Sequence, residues 1–286
     1  YQKVLLATGA SSFLPPIENL RTANNVIGLR NLDDAIRIKE IAQKVKNIII
    51  LGAGLVGVDA MAGLLDYDAK VTMIEMGDRI LPLQLDHYAA NVYIERLKEE
   101  GVDFRFNVRA EKVIVDENNN PVAIKLNTGE EVPGELIIAC TGVRSNVGFL
   151  EGSGIECDKF GLIFNPKGET NVKDVYGAGD ISGRNPIWPT AVKEGLIAAN
   201  NMCNKDIYME DFFGSKNTMN FCGVATMSLG TVIKPDDTYE EAVEIKGKDY
   251  KKIIHKDGVI YGAIIQGDLS YVGVLTQLIK ENIDIR

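Results

Sequence analysis

Apolar positions along this chain come in two textures, short solid runs and residues spaced three and four apart, and the alternation between them predicts the elements. Tyr1 to Leu6 (YQKVLL) reads as a buried strand, with Ala7-Thr8-Gly9-Ala10 as the tight turn that ends it. From Asn31 to Lys46, NLDDAIRIKEIAQKVK carries Ile and Ala at helical spacing, with Asp33 and Asp34 placed to cap the first turn and complement its dipole. NIIILG is then a strand, AGLVGVDAMAGLLDYD a helix and KVTMIE a second strand. Strand, helix and strand within about thirty residues make one βαβ unit.

LDHYAANVYIERLKEEG predicts another helix, stopped at Gly101. Three short strands follow, VDFRFN, AEKVIVD and PVAIKLN, the last two joined by the turn ENNNP. ELIIACTGVRS is an apolar run that exits through Thr141-Gly142, as LLATGA exits through Thr8-Gly9. Two strands ending this way predict two similar nucleotide-type domains, the first entered before residue 1; the plainer alternative is that two buried strands merely end alike. DVYGAGDIS is another short apolar stretch with a Gly-rich turn, whose Asp180 could do no more than cap the next segment. In the helix PTAVKEGLIAANNM, Pro189 suits the first helical position. Past about Phe213 the chain changes to alternating strands, TMNFCGVATMSLG, EEAVEIKG and YKKIIHKDGVIYGAIIQGD, with a hairpin signal at Asp257-Gly258. A final helix, SYVGVLTQLIKENI, completes a small α+β domain.

At 286 residues, 45% hydrophobic and 25% charged, the chain has ordinary globular composition and room for two or three cores. A net charge of -9 argues against nucleic acid or an anionic membrane as partner. The longest apolar run, IIILGAGLVGV, is too short and too Gly-rich to span a bilayer, and no signal peptide is visible, although the chain has no initiator Met. Cys140, Cys157, Cys203 and Cys222 lie far apart, without a CxxC, and read as reduced, structural thiols of a cytoplasmic protein. The only histidines, His87 and His255, offer neither a zinc site nor a Ser-His-Asp triad, so no metal is expected.

The sharpest chemical signal is Gly52-Ala53-Gly54-Leu55-Val56-Gly57. Gly52 permits the tight turn, Gly54 lets the backbone approach a pyrophosphate, and Gly57 lets helix and strand pack closely, while the N–H groups of the helix start face the phosphates. The motif follows a strand, opens a helix and precedes the acidic Glu75 at the end of the next strand, the context in which it predicts dinucleotide binding. A carboxylate at Glu75 accepts the adenosine ribose hydroxyls and repels a 2′-phosphate, so NAD(H) is preferred to NADP(H). Arg79 either softens that preference or pairs with Asp78 or Glu75.

The whole order of motifs resembles the FAD-dependent pyridine nucleotide-disulfide oxidoreductase family. LRNLDDA stands before the fingerprint, GAGLVGVDAM takes the place of GxGxxGxExA, and VTMIEMGDRILP follows. CTGVRSN stands for TG-x-R-P-N, and VYGAGDIS and an A-x-x-x-G helix after Trp188 complete the series. The resemblance covers essentially the entire chain. Within the family the chain is similar to the flavin domains of NADH-dependent nitrite reductases and to NADH:rubredoxin and NADH oxidase type enzymes. IIHKDGVIYGAIIQGDLSYVGVLTQLIKE resembles the small domain that ends them.

That resemblance implies an α/β fold with two nucleotide-binding three-layer domains, the FAD one incomplete, and a small C-terminal α+β domain. Residues 1–31 would be a remnant of the FAD-binding domain, 32–143 the NAD-binding domain, 144–212 the FAD-binding domain continued, and 213–286 the C-terminal domain. Asp180, after Gly179, would bind the ribityl chain of FAD, and Thr8, Gly9 and Ala10 would line the flavin site, with Thr141 and Gly142 as the matching exit beside NAD. The helix from Pro189 would aim its positive end at the flavin pyrimidine. Trp188 would stand near the flavin or fill a core. Asp59 falls where the family usually has Glu near the nicotinamide, and its shorter reach leaves its role open; Ser145 replaces the usual Pro, which alters a turn. The family begins with another GxGxxG for the ADP half of FAD. Its absence here implies at least one βαβ unit before Tyr1, along with any redox-active cysteine, so no catalytic residue is assigned.

The implied function is an NADH-dependent flavoprotein oxidoreductase. It would pass hydride from NADH to FAD and electrons to an acceptor, a small molecule or a redox protein, of the nitrite reductase, rubredoxin or oxygen type. The chain itself is expected to keep the NAD site but not FAD, and to be inactive alone. Disulfide or coenzyme A disulfide reduction is an alternative within the class, and a non-catalytic NAD(H)-binding module one from outside it. A homodimer through the last domain stays open.

Overall fold

The computed structural model of the chain describes residues 1–209 and 216–286. In chain order it begins with β1 (Val4–Leu6), β2 (Ala10–Ser12), β3 (Val26–Gly28), α1 (Leu32–Ala42), β4 (Asn47–Leu51), α2 (Leu55–Ala62) and β5 (Lys70–Ile74). It continues with α3 (His87–Glu99), β6 (Asp103–Arg105), β7 (Ala110–Val115), β8 (Pro121–Leu126), β9 (Glu131–Pro133), β10 (Leu136–Ala139) and β11 (Val143–Ser145). The remainder is β12 (Val175–Gly177), α4 (Trp188–Met202), β13 (Lys216–Phe221), β14 (Val224–Gly230), β15 (Glu240–Lys246), β16 (Asp249–Lys256), β17 (Val259–Gln266) and α5 (Val272–Lys280). These elements form two compact units, one of residues 1–13 and 142–209, the other of residues 14–141 and 216–286.

The larger unit is built on a parallel sheet of order β3-β10-β4-β5-β6. Alternate residues of its solid apolar strands serve different cores, because successive side chains leave a strand on opposite faces. Ile48, Ile50, Val71, Met73, Leu136 and Ile138 join a core with residues of α1, α2 and α3. Ile49, Leu51, Ile74 and Ile137 join a second core with Val113, Ile124, Leu126 and Val132 of the β7-β8-β9 sheet. The result is three layers, helices, parallel sheet and a small antiparallel sheet. Asn31 caps α1 in a reciprocal box with Asp34, whose carboxylate accepts the N–H of Asn31.

In the same unit β13-β14-β17-β16-β15 form an antiparallel sheet, which contributes Met219, Phe221, Tyr250 and Ile264 to the helical core. The β16–β17 hairpin turns at Asp257 and Gly258, both at positive φ (51° and 79°), as their sequence predicts. Tyr93, fully buried on α3, donates from Oη to the carbonyl of Val224 at 2.7 Å and lies 2.7 Å from Thr226 Oγ1. Gln266 donates to Ala89 O of α3 and to Thr226 Oγ1. Asp86, the N-cap of α3, also takes the Tyr250 hydroxyl at 2.5 Å and lies 3.3 Å from Lys252 Nζ.

In the smaller unit β1 pairs in parallel with β12, and β2 antiparallel with β11. In this chain Val4 and Leu5 are 42% and 36% exposed, because β1 has a single neighbouring strand, β12, and its sheet covers neither face fully. TMNFCGVATMSLG is not one strand but the hairpin β13–β14, turned at Cys222 and Gly223. The fingerprint helix ends at Ala62, well short of Asp68, where Gly63 closes it. Residues 14–31 lie with the larger unit rather than with residues 1–13, because β3 pairs with β10. The boundary placed between residues 212 and 213 falls outside the described residues.

Candidate functional site

Eight of the predicted site residues belong to the larger unit: Gly52, Gly54, Leu55, Val56, Gly57, Asp59, Glu75 and Thr141. Gly52, Glu75 and Thr141 all stand just beyond the carboxyl ends of parallel strands, β4, β5 and β10, which is where open α/β sheets bind ligands. The three fingerprint glycines are not equivalent. A Cβ on Gly52, whose φ is +100°, would lie 2.4 Å from the carbonyl oxygen of Cys140, and one on Gly57 would lie 2.0 Å from the carbonyl oxygen of Gly52. A Cβ on Gly54 would meet nothing within 4 Å. Packing of helix against strand therefore requires Gly52 and Gly57, whereas Gly54 borders open space in front of α2.

Gly54 is also the N-cap of α2, and no side chain caps that end. The first N–H groups of a helix have no intrahelical acceptor, so Leu55 and Val56 present donors and the positive end of a dipole to that space. An extended diphosphate fits such a donor set. Glu75 is held from two sides: Ala53 N–H donates to Oε2 at 2.8 Å and Gly77 N–H to Oε1 at 2.7 Å. Its carboxylate is thus fixed beside the turn before any ligand arrives. Arg79 resolves the open choice by pairing with Asp78 at 2.7 Å, and its Nε donates to Leu85 O at 3.2 Å. With 9% of its surface exposed, this guanidinium is committed to its own loop. Asp59 lies on α2, where burial pushes its carboxyl above the usual range.

Thr8, Gly9, Ala10, Gly142, Gly179, Asp180 and Trp188 belong to the smaller unit. The Thr8-Gly9 turn is clamped by Asn146, whose Nδ2 donates to Thr8 O and whose N–H donates to Gly9 O, both at 2.9 Å. Thr8 Oγ1 donates in return to Asn146 O at 2.9 Å. Gly9 and Gly142 both have positive φ, and Cβ atoms there would meet nothing within 4 Å. Ala10, in β2, is buried. The Gly179-Asp180 turn is tethered at both residues, by Gly179 N–H donating to Glu194 Oε2 at 2.7 Å and by Ser145 Oγ donating to Asp180 O at 2.8 Å. Ser145, which stands where the family has Pro, therefore holds the turn through its hydroxyl. Trp188 is 83% exposed at the start of α4 and fills no core within this chain, and no side chain caps that helix.

Asn146 and Glu194 are the structural supports that the sequence reading passed over. Asn146 ends the CTGVRSN motif, yet its role emerges only when β2 and β11 pair. Glu194 falls on the buried stripe of α4 with Thr190, Ala198 and Asn201, a polar residue at a core position. Burial pushes its carboxyl above the usual range, and the charge of Asp180 adds to the push. All four cysteines are free; Cys157, Cys203 and Cys222 are exposed rather than buried, and the thiol of Cys140, packed beside the fingerprint, is pushed up to about 12 by burial. Among the described residues no cluster of His, Cys, Asp and Glu could hold a metal ion, and no helix is long and apolar enough to cross a membrane.

Residues 1–195 match the family model described as pyridine nucleotide-disulphide oxidoreductase, and residues 216–283 match that of the rubredoxin NAD+ reductase C-terminal domain. The whole chain is 29% identical, over 298 residues, to the NADH-dependent phenylglyoxylate dehydrogenase subunit epsilon of Aromatoleum evansii, covering 70% of it. It is 24% identical to the nitrite reductase [NAD(P)H] of Bacillus subtilis, covering all of this chain but 36% of that one. The NAD-dependent persulfide reductase from A. fulgidus superposes with a TM-score of 0.89 at 22% identity, covering 100% of this chain and 58% of that one.

Proposed function

The chain belongs to the pyridine nucleotide-disulphide oxidoreductase family, NAD(P)H-dependent oxidoreductases that bind FAD and NAD(H), and we propose that it is the NADH-binding part of such a flavoprotein. The observation that carries this reading is the open face at Gly54, bounded by the uncapped start of α2 on one side and the fixed carboxylate of Glu75 on the other. Leu55 and Val56 N–H hold the pyrophosphate, and Glu75 accepts the ribose hydroxyls of the adenosine with the oxygen lone pairs that Ala53 and Gly77 leave free. NADH bound there supplies a hydride, whose acceptor in this family is FAD.

On the flavin side this chain contributes backbone held in fixed positions. Asn146 keeps the Thr8-Gly9 turn open, and Ser145 and Glu194 fix the turn that carries Asp180 toward the ribityl chain. The start of α4, with Trp188, offers a positive helix end to the flavin ring. In this division of labour residues 14–141 bind NAD(H), residues 1–13 and 142–209 serve FAD, and residues 216–286 cover the helical core. The electrons leave for a small molecule or a redox protein, and the free cysteines suit a cytoplasmic location.

Calorimetry of the purified chain with NADH and with NADPH tests the reading. It expects saturable NADH binding and weaker NADPH binding; the absence of NADH binding to the folded chain would sink it. In the native-length protein, anaerobic NADH should bleach the oxidised-flavin absorbance.

A further inference from the structure

β1 and β12 lie side by side in parallel, with Leu6 opposite Gly177, and the N–H of Ala178 donates to Leu6 O at 3.1 Å. The turns Thr8-Gly9 and Gly179-Asp180 therefore leave neighbouring strands at the same carboxyl end, past the last pair that β1 and β12 share. Two adjacent residues hold them there. Successive side chains of an extended segment leave it on opposite sides, so Ser145 reaches one turn and Asn146 the other. Ser145 Oγ donates to Asp180 O at 2.8 Å. Asn146 commits every polar group to the other side: Nδ2 donates to Thr8 O and N–H to Gly9 O, its carbonyl accepts Thr8 Oγ1, and Oδ1 accepts Ser11 Oγ. The slot for the Ser145 hydroxyl is shaped by absent side chains. A Cβ on Gly161 would lie 2.7 Å from Ser145 Oγ, and one on Gly183 would lie 2.9 Å from it.

We propose that Ser145 and Asn146 are a pair of positioning residues, a bracket that sets the spacing of the two turns and with it the affinity and surroundings of FAD. The proposal rests on the reading of both turns as flavin-facing. Binding groups already held in their bound geometry lose less freedom when the ligand arrives, so a turn released from the bracket binds more weakly. At its Ser145 end the bracket is a device of this chain, since a Pro at that position has no hydroxyl to donate. The strand pairing lets the hydroxyl be removed by itself. Phe13 N–H donates to Gly142 O and Asn146 N–H to Gly9 O, both across the β2–β11 pair. Antiparallel pairs alternate between exchanging hydrogen bonds and exchanging none, so Ser145 and Ala10, one position from Asn146 and Gly9, exchange none. Ser145→Pro therefore deletes the tether to Asp180 and leaves the ladder intact.

FAD titration of the native-length protein, stripped of flavin and followed by absorbance and fluorescence, tests the bracket. Ser145→Pro and Asn146→Ala should each weaken FAD binding by about tenfold or more and shift the visible flavin bands, with NADH affinity unchanged. Ser145→Ala, which places no ring on the backbone, should match Ser145→Pro. Because both side chains hold one spacing, the double variant Ser145→Ala with Asn146→Ala should lose much less than the product of the two single losses. Parent affinity and parent spectrum in both Ser145 variants, or a double variant whose loss equals that product, overturns the bracket while the proposed function stands. A native-length protein that binds NADH but no FAD overturns the flavin reading and the bracket together.

Discussion

Glu75 and Ala53 are joined across the mouth of the fingerprint by a 2.8 Å hydrogen bond, in which the N–H of a fully buried residue donates to the carboxylate expected to select the dinucleotide. One side chain thus has two duties, staple and selector. Glu75→Ala should narrow the gap between NADH and NADPH affinity. It should also leave the Ala53 N–H buried without an acceptor, at a cost of about 1–3 kcal/mol. Urea unfolding measures the second effect and calorimetry the first. Equal or tighter NADPH binding by the unmodified chain would remove the selector role and leave only the staple.

Gly54 and Gly57 should respond in opposite ways to the same change. An alanine Cβ at position 57 would lie 2.0 Å from the Gly52 carbonyl oxygen and 3.4 Å from Cys140 Cβ, neither of them the far end of a flexible side chain. Gly57→Ala should therefore cost several kcal/mol or prevent folding, as overpacked sites do. At position 54 the Cβ meets no protein atom, so Gly54→Ala should melt close to the parent while losing NADH affinity by about tenfold or more, the scale of about 1.4 kcal/mol. Circular dichroism melts and NADH titration of the two variants distinguish packing from ligand approach. A folded Gly54→Ala variant with full NADH affinity would show that the pyrophosphate does not approach there.

Tyr93 ties α3 to the antiparallel sheet. Its hydroxyl is buried between Val224 O and Thr226 Oγ1, and Phe in its place would leave the carbonyl of Val224 without this donor. Tyr93→Phe should destabilise the larger unit by about 1–3 kcal/mol with NADH affinity unchanged. Denaturant unfolding followed beside NADH titration checks both halves. A stability equal to the parent's would mean that water replaces the lost donor.

Much of this was legible in the sequence where one residue's requirement is local. The turn at Asp257-Gly258, the stop at Gly101 and the fingerprint all follow from φ or from packing that neighbouring residues announce. Pairing between distant segments was less legible. Nothing in TMNFCGVATMSLG separates one strand from a hairpin except Cys222-Gly223, since its alternation continues across the turn. The solid run at Val4 to Leu6 promises burial, but burial depends on what lies on either side of the strand, which three residues cannot state. For the same reason the clamp by Asn146 and the tether from Glu194 were missed: each acts on backbone more than ten residues away, on N–H and C=O groups that every sequence contains.

Glu194 links that tether to pH. Its carboxyl is buried on α4, accepts the N–H of Gly179 and lies near the charge of Asp180, and burial above all holds its pKa above the usual value. The native state therefore keeps a proton that the unfolded chain releases between the ordinary carboxylate range and the raised value. Stability from this group is fully present below the ordinary range and falls as pH rises through the raised pKa. Glu194→Gln, neutral at every pH, should abolish that fall while its side-chain oxygen still accepts from Gly179. Glu194→Ala should also lack that fall but leave the Gly179 N–H unsatisfied, at a cost of about 1–3 kcal/mol relative to Glu194→Gln at every pH. Urea unfolding of the three proteins across the weakly acidic range separates these outcomes. A parent whose stability changes with pH in parallel with that of Glu194→Gln would show that burial and the Gly179 N–H cancel, and a parent that rises more steeply would show that the carboxylate is held ionised and that the Gly179 N–H outweighs burial.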